Sequence, residues 1–127
     1  AAAQSDELLQ QAEEIAGLKV LSAKVEGLDA AGLRTLGDRL REKLGSGVIL
    51  LGSAFEDKAL FLAMVTPDIV KQGIKAGDIV KVAAQAAGGG GGGRPDMAQA
   101  GGREPAKIDA ALELAVESIK KQLAAVQ

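Results

Sequence analysis

The sequence predicts an α+β fold, with helices packed on a small mixed β-sheet and a glycine-rich loop, from three observations. Residues 18–26 alternate apolar and polar side chains, the period-two signature of a half-buried strand. Residues 48–51 and 59–65 are apolar runs joined by the short polar link Phe55-Glu56-Asp57-Lys58, which reads as a β-hairpin. Stripes of Leu and Ile at helical spacing flank that hairpin in residues 30–44 and 108–126. Unlike elements in this order, with no internal repeat, bury their helices against a sheet.

In chain order, residues 4–16 are polar and helix-forming, with Leu8, Leu9, Ala12, Ile15 and Ala16 at roughly helical spacing. They read as the tail of a helix whose body lies upstream, ended by Gly17. The start, Ala1-Ala2-Ala3-Gln4-Ser5-Asp6, has neither an initiator Met nor a signal-peptide pattern, and reads as a cut inside a larger protein. The chain is therefore expected to divide into a helical remnant, 1–16, and a globular domain, 17–127. In strand 18–26, Leu21, Ala23 and Val25 face one way and Ser22, Lys24 and Glu26 the other. Asp29 is placed to cap a helix over 30–44, in which Leu33, Leu36, Leu40 and Leu44 form one stripe. Its remaining face carries Arg34, Arg39, Arg41 and Lys43, with Arg34 and Asp38 spaced to pair, and reads as a solvated mixed-charge surface.

Gly45-Ser46-Gly47 stops that helix. Residues 48–51 lack alternation, as a central strand covered on both faces does. Thr66-Pro67-Asp68 starts a short helix that Gly73 breaks. Asp78 starts a second, running to Ala87. Six consecutive glycines follow, then a short strand. Pro105 stands near the start of the last helix, whose stripe is Ile108, Leu112, Ala115, Ile119, Leu123 and Val126.

Composition excludes several chemistries. The 127 residues contain no His and no Cys, so no imidazole or thiolate metal site and no Ser–His or Cys–His nucleophile can form. The apolar runs fall well short of the ~20 residues that cross a bilayer. With a net charge of −2, the chain has no global pull towards nucleic acid, so any anion site must be local.

The segment with unusual chemistry is 88–103. Gly88 to Gly93 can adopt positive φ, admit a close neighbour, or curl their N–H groups around an anion. Arg94 follows, and could hold a phosphate through two parallel hydrogen bonds. It is not a P-loop, which requires Gly-Lys-Ser/Thr leading into a helix. The run follows a helix, whose carbonyl end disfavours an anion. Composition alone reads as a flexible linker, but the dense mix of Arg, Pro, Asp, Met and Gln that follows is not linker-like. Lys71, Lys75 and Lys81 lie just upstream and are the better basic candidates if they share its face.

The stretch Gly88-Gly89-Gly90-Gly91-Gly92-Gly93-Arg94-Pro95-Asp96-Met97-Ala98-Gln99-Ala100-Gly101-Gly102 closely resembles the glycine-rich motif in the C-terminal domain of alanyl-tRNA synthetases. Ile74-Lys75-Ala76-Gly77-Asp78-Ile79-Val80-Lys81, and the helix 29–44 leading into an apolar strand, are similar to that family too. The resemblance covers roughly residues 17–127. It implies a non-catalytic module of a cytoplasmic, ATP-dependent alanine–tRNA ligase. Its partners would be tRNA, contacted at the elbow, the catalytic and editing domains of the same parent chain, and a second copy through the upstream helical segment, with no membrane. No cofactor is expected in this domain; ATP, magnesium and zinc would belong to the parent's other domains. Gly88 to Gly93, Arg94, Gln99, Arg103 and Lys81 are the expected RNA-binding residues.

The same fold resembles the accessory domain of DHH-family phosphoesterases, whose glycine motif ends in His. Arg94 stands there in this chain, which departs from the phosphoesterase pattern. Phe55 and Phe61 are the only aromatic residues and Phe61 reads as buried, so stacking readout of bases is scarcely available. Shape and phosphate contacts remain, with weak binding in isolation. The competing expectation is a structural or dimerisation module without autonomous RNA contact.

Overall fold

The computed structural model describes residues 7–15 and 17–126. The alternating stretch 18–26 forms strand β2 (Leu18–Glu26), preceded by β1 (Glu13–Ile15). Helix α1 (Ala30–Leu44) follows, its first turn capped by Asp29, whose carboxylate accepts from the Gly32 N–H at 2.8 Å. The hairpin is β3 (Val48–Phe55) and β4 (Lys58–Val65), joined by Glu56 and Asp57 at φ +49° and +61°. Both central residues at positive φ give a turn whose twist suits the strands.

Then come α2 (Pro67–Val70), α3 (Ala76–Ala86), β5 (Gly90–Gly93), β6 (Met97–Gly102), a single 3-10 turn over Pro105–Lys107, and α4 (Ile108–Val126). The strands form one mixed sheet in the order β1-β2-β3-β4-β6-β5. β2 runs parallel to β3; every other neighbouring pair is antiparallel. Helix α1 is the crossover that parallel pairing requires.

Helices cover both faces of the sheet, which explains the unalternated strands. On one face Leu33, Leu36 and Leu40 of α1 pack on Leu21, Ala23, Val25, Ile49, Leu51, Leu62 and Met64. On the other, α3 and α4 bring Ile79, Ala83, Ile108, Ala115 and Ile119 against Val20, Val48, Leu50, Phe61 and Ala63. Phe61 is fully buried, as expected. Leu18 and Val20 are buried as well, so β2 is covered on both sides at its start. Ser53 is the buried polar group of this region: its hydroxyl donates to the Leu28 carbonyl at 2.8 Å and accepts from the Leu28 N–H at 3.1 Å.

Four expectations are corrected. Residues 13–15 are a strand, not the end of a helix; helix is confined to 7–9. Leu8 packs on the α1 face while Ile15 packs on the α3/α4 face, so residues read as one helical stripe go to opposite sides of the sheet. Gly17, at φ +83°, lies in the turn between β1 and β2. Residues 1–6, 16 and 127 lie outside the description, as does the Val126 side chain. Second, Asp38 pairs with Arg41 at 3.4 Å instead of with Arg34. Third, α3 begins at Ala76, which leaves Asp78 in its first turn rather than at its cap. Fourth, the glycine run is not a loop: Gly90–Gly93 is the edge strand of the sheet.

Candidate nucleic-acid interface

Glycine is a poor strand former, so the pairing of β5 comes from its neighbours. β6 supplies the ladder, with Gly90 opposite Gly101, Gly91 opposite Ala100, Gly92 opposite Gln99 and Gly93 opposite Ala98. Helix α3 closes on one face of this ribbon. A Cβ on Gly91 or Gly93 would stand 2.6 Å from the Cβ of Ala100 or Ala98, and one on Gly77 of α3 would stand 2.7 Å from the Gly93 carbonyl oxygen. A Cβ on Gly89 would lie on the Gly101 carbonyl. Gly77 thus lets α3 approach the ribbon closely, and Gly89, Gly91 and Gly93 let the chain lie close against β6.

Gly90 and Gly92 differ. Neither has a positive φ, and a Cβ on either would meet nothing within 4 Å. They lie on the α1 side of the sheet, across from Gly101 and Gln99. On that side β5 itself is flat, free of side chains and solvent-exposed, and nothing in the packing requires Gly at these two positions.

The charged candidates are distributed around it. Arg94 follows β5 directly, is largely exposed, and makes a 3.5 Å ion pair with Asp96. Such exposed pairs contribute under about 1 kcal/mol, so the guanidinium can be drawn away by a phosphate. Arg103 is exposed beyond the end of β6, with no ion-pair partner among the described residues. The β5–β6 register sets Arg94 and Arg103 six residues apart along the ribbon, roughly 20 Å at strand rise. They would serve different phosphates. Lys81 is exposed, one turn beyond Gly77, on the flank of α3 that touches Gly93.

Gln99 is half-buried, and its side-chain amide donates to the Ala30 carbonyl at the start of α1 at 2.8 Å. It holds α1 to β6, so a role in reading bases is left to its oxygen and its second amide hydrogen. Gly88, at φ +81°, turns the chain from α3 into the ribbon.

The electrostatic setting differs from the expectation too. The run leaves the carbonyl end of α3, but β5 then folds back along that helix. The Ala76 N–H donates to the Pro95 carbonyl at 2.8 Å, which sets Arg94 and Pro95 at the helix's N-terminal, positive end. The field opposes an anion at Gly88 and favours one at Arg94.

One basic residue was undervalued by sequence reasoning. A Cβ on Gly37 would meet Leu62 and Met64 of β4, and Ala30 is tied to Gln99 of β6. Ala30, Arg34, Gly37 and Arg41 share one flank of α1 by helical spacing, so Arg34 and Arg41 overlook β6 and the open side of the ribbon. Arg41 is engaged by Asp38; Arg34 is exposed with no ion-pair partner among the described residues. Arg39 points away from this flank. The signal in the sequence was Gly37 inside a leucine-striped helix, which marks a close approach.

Among the described residues, no group of three acidic side chains converges to hold a metal ion, and no helix is long and apolar enough to cross a membrane.

Comparison with known proteins bears on this surface. The DHHA1 domain family matches residues 17–121. An alanine–tRNA ligase of Acetivibrio thermocellus is 54% identical over 119 residues, 94% of this chain and 14% of that protein. The corresponding ligase of Anaeromyxobacter dehalogenans is 51% identical over 124 residues, 98% of this chain and 14% of that protein. The chain thus spans about a seventh of the length of these curated relatives. Among solved structures, the C-Ala domain from Aquifex aeolicus alanyl-tRNA synthetase matches with a TM-score of 0.74 at 29% identity, covering 88% of this chain and 96% of that one. A DHH domain from a protein described as a member of the s1p family of ribosomal proteins matches at TM-score 0.58 and 20% identity, over 95% of this chain and 31% of that one, a likeness of fold alone.

Proposed function

The chain belongs to the DHHA1 domain family, and from that premise we propose that it is a non-catalytic tRNA-binding module of an alanyl-tRNA synthetase. It contacts the elbow of alanine-specific tRNA and bridges the aminoacylation and editing domains of its parent chain, a cytoplasmic ATP-dependent alanine–tRNA ligase. ATP, magnesium and zinc are held by those other domains, and a segment upstream of Gly17 contributes to dimerisation.

The observation that carries this reading is the open side of β5. Gly90 and Gly92 have no neighbour that demands glycine, so their flatness is available to a ligand. A flat surface without side chains suits the base platform and backbone of an RNA elbow, which is met through shape and phosphates. Arg94 lies at one end of the ribbon, Arg103 at the other, and Arg34 overlooks it from α1. Gly89, Gly91 and Gly93 serve the site indirectly, by letting the chain lie close against β6, and Gly88 turns it out of α3. Gln99 positions α1, and Lys81 adds charge on the α3 flank.

The test is a titration with full-length tRNA at low and moderate salt. Binding should weaken at least tenfold with Gly92→Val, about tenfold with Arg94→Ala as one charge-assisted contact is lost, and again when the tRNA elbow is disrupted. Binding of native strength by Gly92→Val would remove the ribbon from the site. No binding at low salt would favour a purely structural module.

A further inference from the structure

At the opposite edge of the sheet the pairing is incomplete. β1 pairs only with residues 18–20 of β2, while β3 pairs with β2 from Val20 to Glu26. The Gly27 N–H donates to the Ala54 carbonyl at the end of β3. By the two-residue period, the backbone groups of Leu21, Ala23 and Val25 are then directed to β3, and those of Ser22, Lys24 and Glu26 outward. No backbone group among the described residues bonds to these three from outside. Unpaired edge amides of this kind are a template for another strand.

A groove of about 1190 Å³ runs along this edge, between β1, β2 and α4. Its apolar lining includes Ile15, Val116 and Leu114, and Leu114 is the one exposed large hydrophobic side chain among the described residues, at 51%. Its charge is lopsided. Lys120 is taken up by Glu117 at 3.3 Å, which leaves Glu13, Asp109 and Glu113 facing Lys24 alone. None of these three carboxylates has an ion-pair partner among the described residues.

We propose that the outer edge of β2 at residues 22–26 is a docking site for an extended segment of a partner polypeptide that alternates apolar and basic residues. The segment adds to the sheet as a further strand. Its backbone pairs with Ser22, Lys24 and Glu26, and its basic side chains, which share one side by the two-residue period, enter the groove on the α4 side, their apolar stems along Ile15, Leu114 and Val116 and their charges at Glu13 and Glu113. A second copy of this chain fits poorly: two-fold antiparallel pairing centred on Lys24 sets Lys24 against Lys24 and one carboxylate rim against the other.

The probe is a blocked heptapeptide, Thr-Val-Lys-Val-Lys-Val-Thr, beside its Glu-for-Lys counterpart, added to the whole 127-residue chain. Amide exchange is followed residue by residue, with sedimentation alongside. The basic peptide should slow exchange at Ser22, Lys24 and Glu26 at least tenfold, and the acidic one should not. Lys24→Pro removes one outward N–H without touching the β3 ladder, so it should abolish the slowing while unfolding stays cooperative. Should that variant fold poorly, Glu113→Lys tests the charge arm, with at least a fivefold loss of peptide affinity expected. No slowing at these amides under saturating basic peptide overturns the proposal. Equal slowing by both peptides, or slowing that comes from self-association without peptide, does so too.

Discussion

A glycine can be required by the fold or left free by it, and the two kinds alternate along β5. Gly91 and Gly93 face Ala100 and Ala98, where an added Cβ would stand 2.6 Å away. Gly93→Ala should therefore destabilise by about 1–3 kcal/mol, the usual range for overpacking a tight contact. Gly92→Ala, on the open side, should change stability by no more than about 0.5 kcal/mol. Urea unfolding of the two variants checks the difference, and equal losses would mean that the open side is closed in solution. Arg34 belongs to the same scale. It overlooks the open side without an acidic partner, so Arg34→Ala should weaken tRNA binding several-fold and leave stability unchanged. Arg39→Ala, on the far side of α1, is the control and should do neither.

Local signals and tertiary overrides separate cleanly among the elements. Asp29 at the cap of α1 was legible because its carboxylate meets a demand intrinsic to any helix start. Asp29→Ala should cost about 1 kcal/mol, read as a drop in denaturation midpoint. The hairpin, the mixed sheet, the leucine stripe and the last helix were legible for the same reason: their periodicities record which side is buried. At α2, Asp68 accepts hydrogen bonds from the hydroxyls of Ser46 and Thr66, which hold its carboxyl below the ordinary value of 3.8. A depressed folded-state pKa contributes stability that is present above the unfolded value and lost as pH falls through the folded one. Asp68→Asn should thus lower the melting temperature near neutral pH, and the gap to the native chain should close as pH falls below the ordinary carboxyl value of 3.8. A gap that stays constant would mean the hydroxyls do not favour the charged form. The elements that sequence reasoning misplaced are those whose strand character comes from a pairing partner rather than from their own residues. β1 is a strand because β2 pairs with it, against helical spacing. β5 is a strand because β6 and α3 enclose it, against glycine's preference. For the same reason the candidate residues were legible while their grouping was not. Nothing local indicates that Arg94 returns to the positive end of α3, or that Arg34 of α1 overlooks a ribbon formed some sixty residues later.

At the scale of the whole molecule, a net charge of −2 must be reconciled with the polyanionic partner proposed above. The chain as a whole does not attract RNA; four cations grouped about one ribbon, Arg34, Lys81, Arg94 and Arg103, are set against that background. Each phosphate they neutralise releases condensed counterions, and the affinity falls with salt by roughly 0.7 to 0.9 logarithmic units per contact per tenfold change. Four contacts give a slope of roughly −3, which amounts to about a 60-fold loss of affinity between 50 and 200 mM salt. Arg94→Ala and Arg103→Ala should each make the slope shallower by about one unit, because they lie far enough apart on the ribbon to serve separate phosphates. Gly92→Val should lower affinity while leaving the slope unchanged, because it disturbs shape and not charge. The double measurement, affinity and slope for each variant, separates flat contact from phosphate contact. If Gly92→Val flattens the slope as the arginine variants do, the glycine side is only a route to the phosphates. If the arginine variants leave the slope alone, the charges lie off the RNA path. A slope near zero in the native chain would mean that the ribbon does not meet a phosphate backbone.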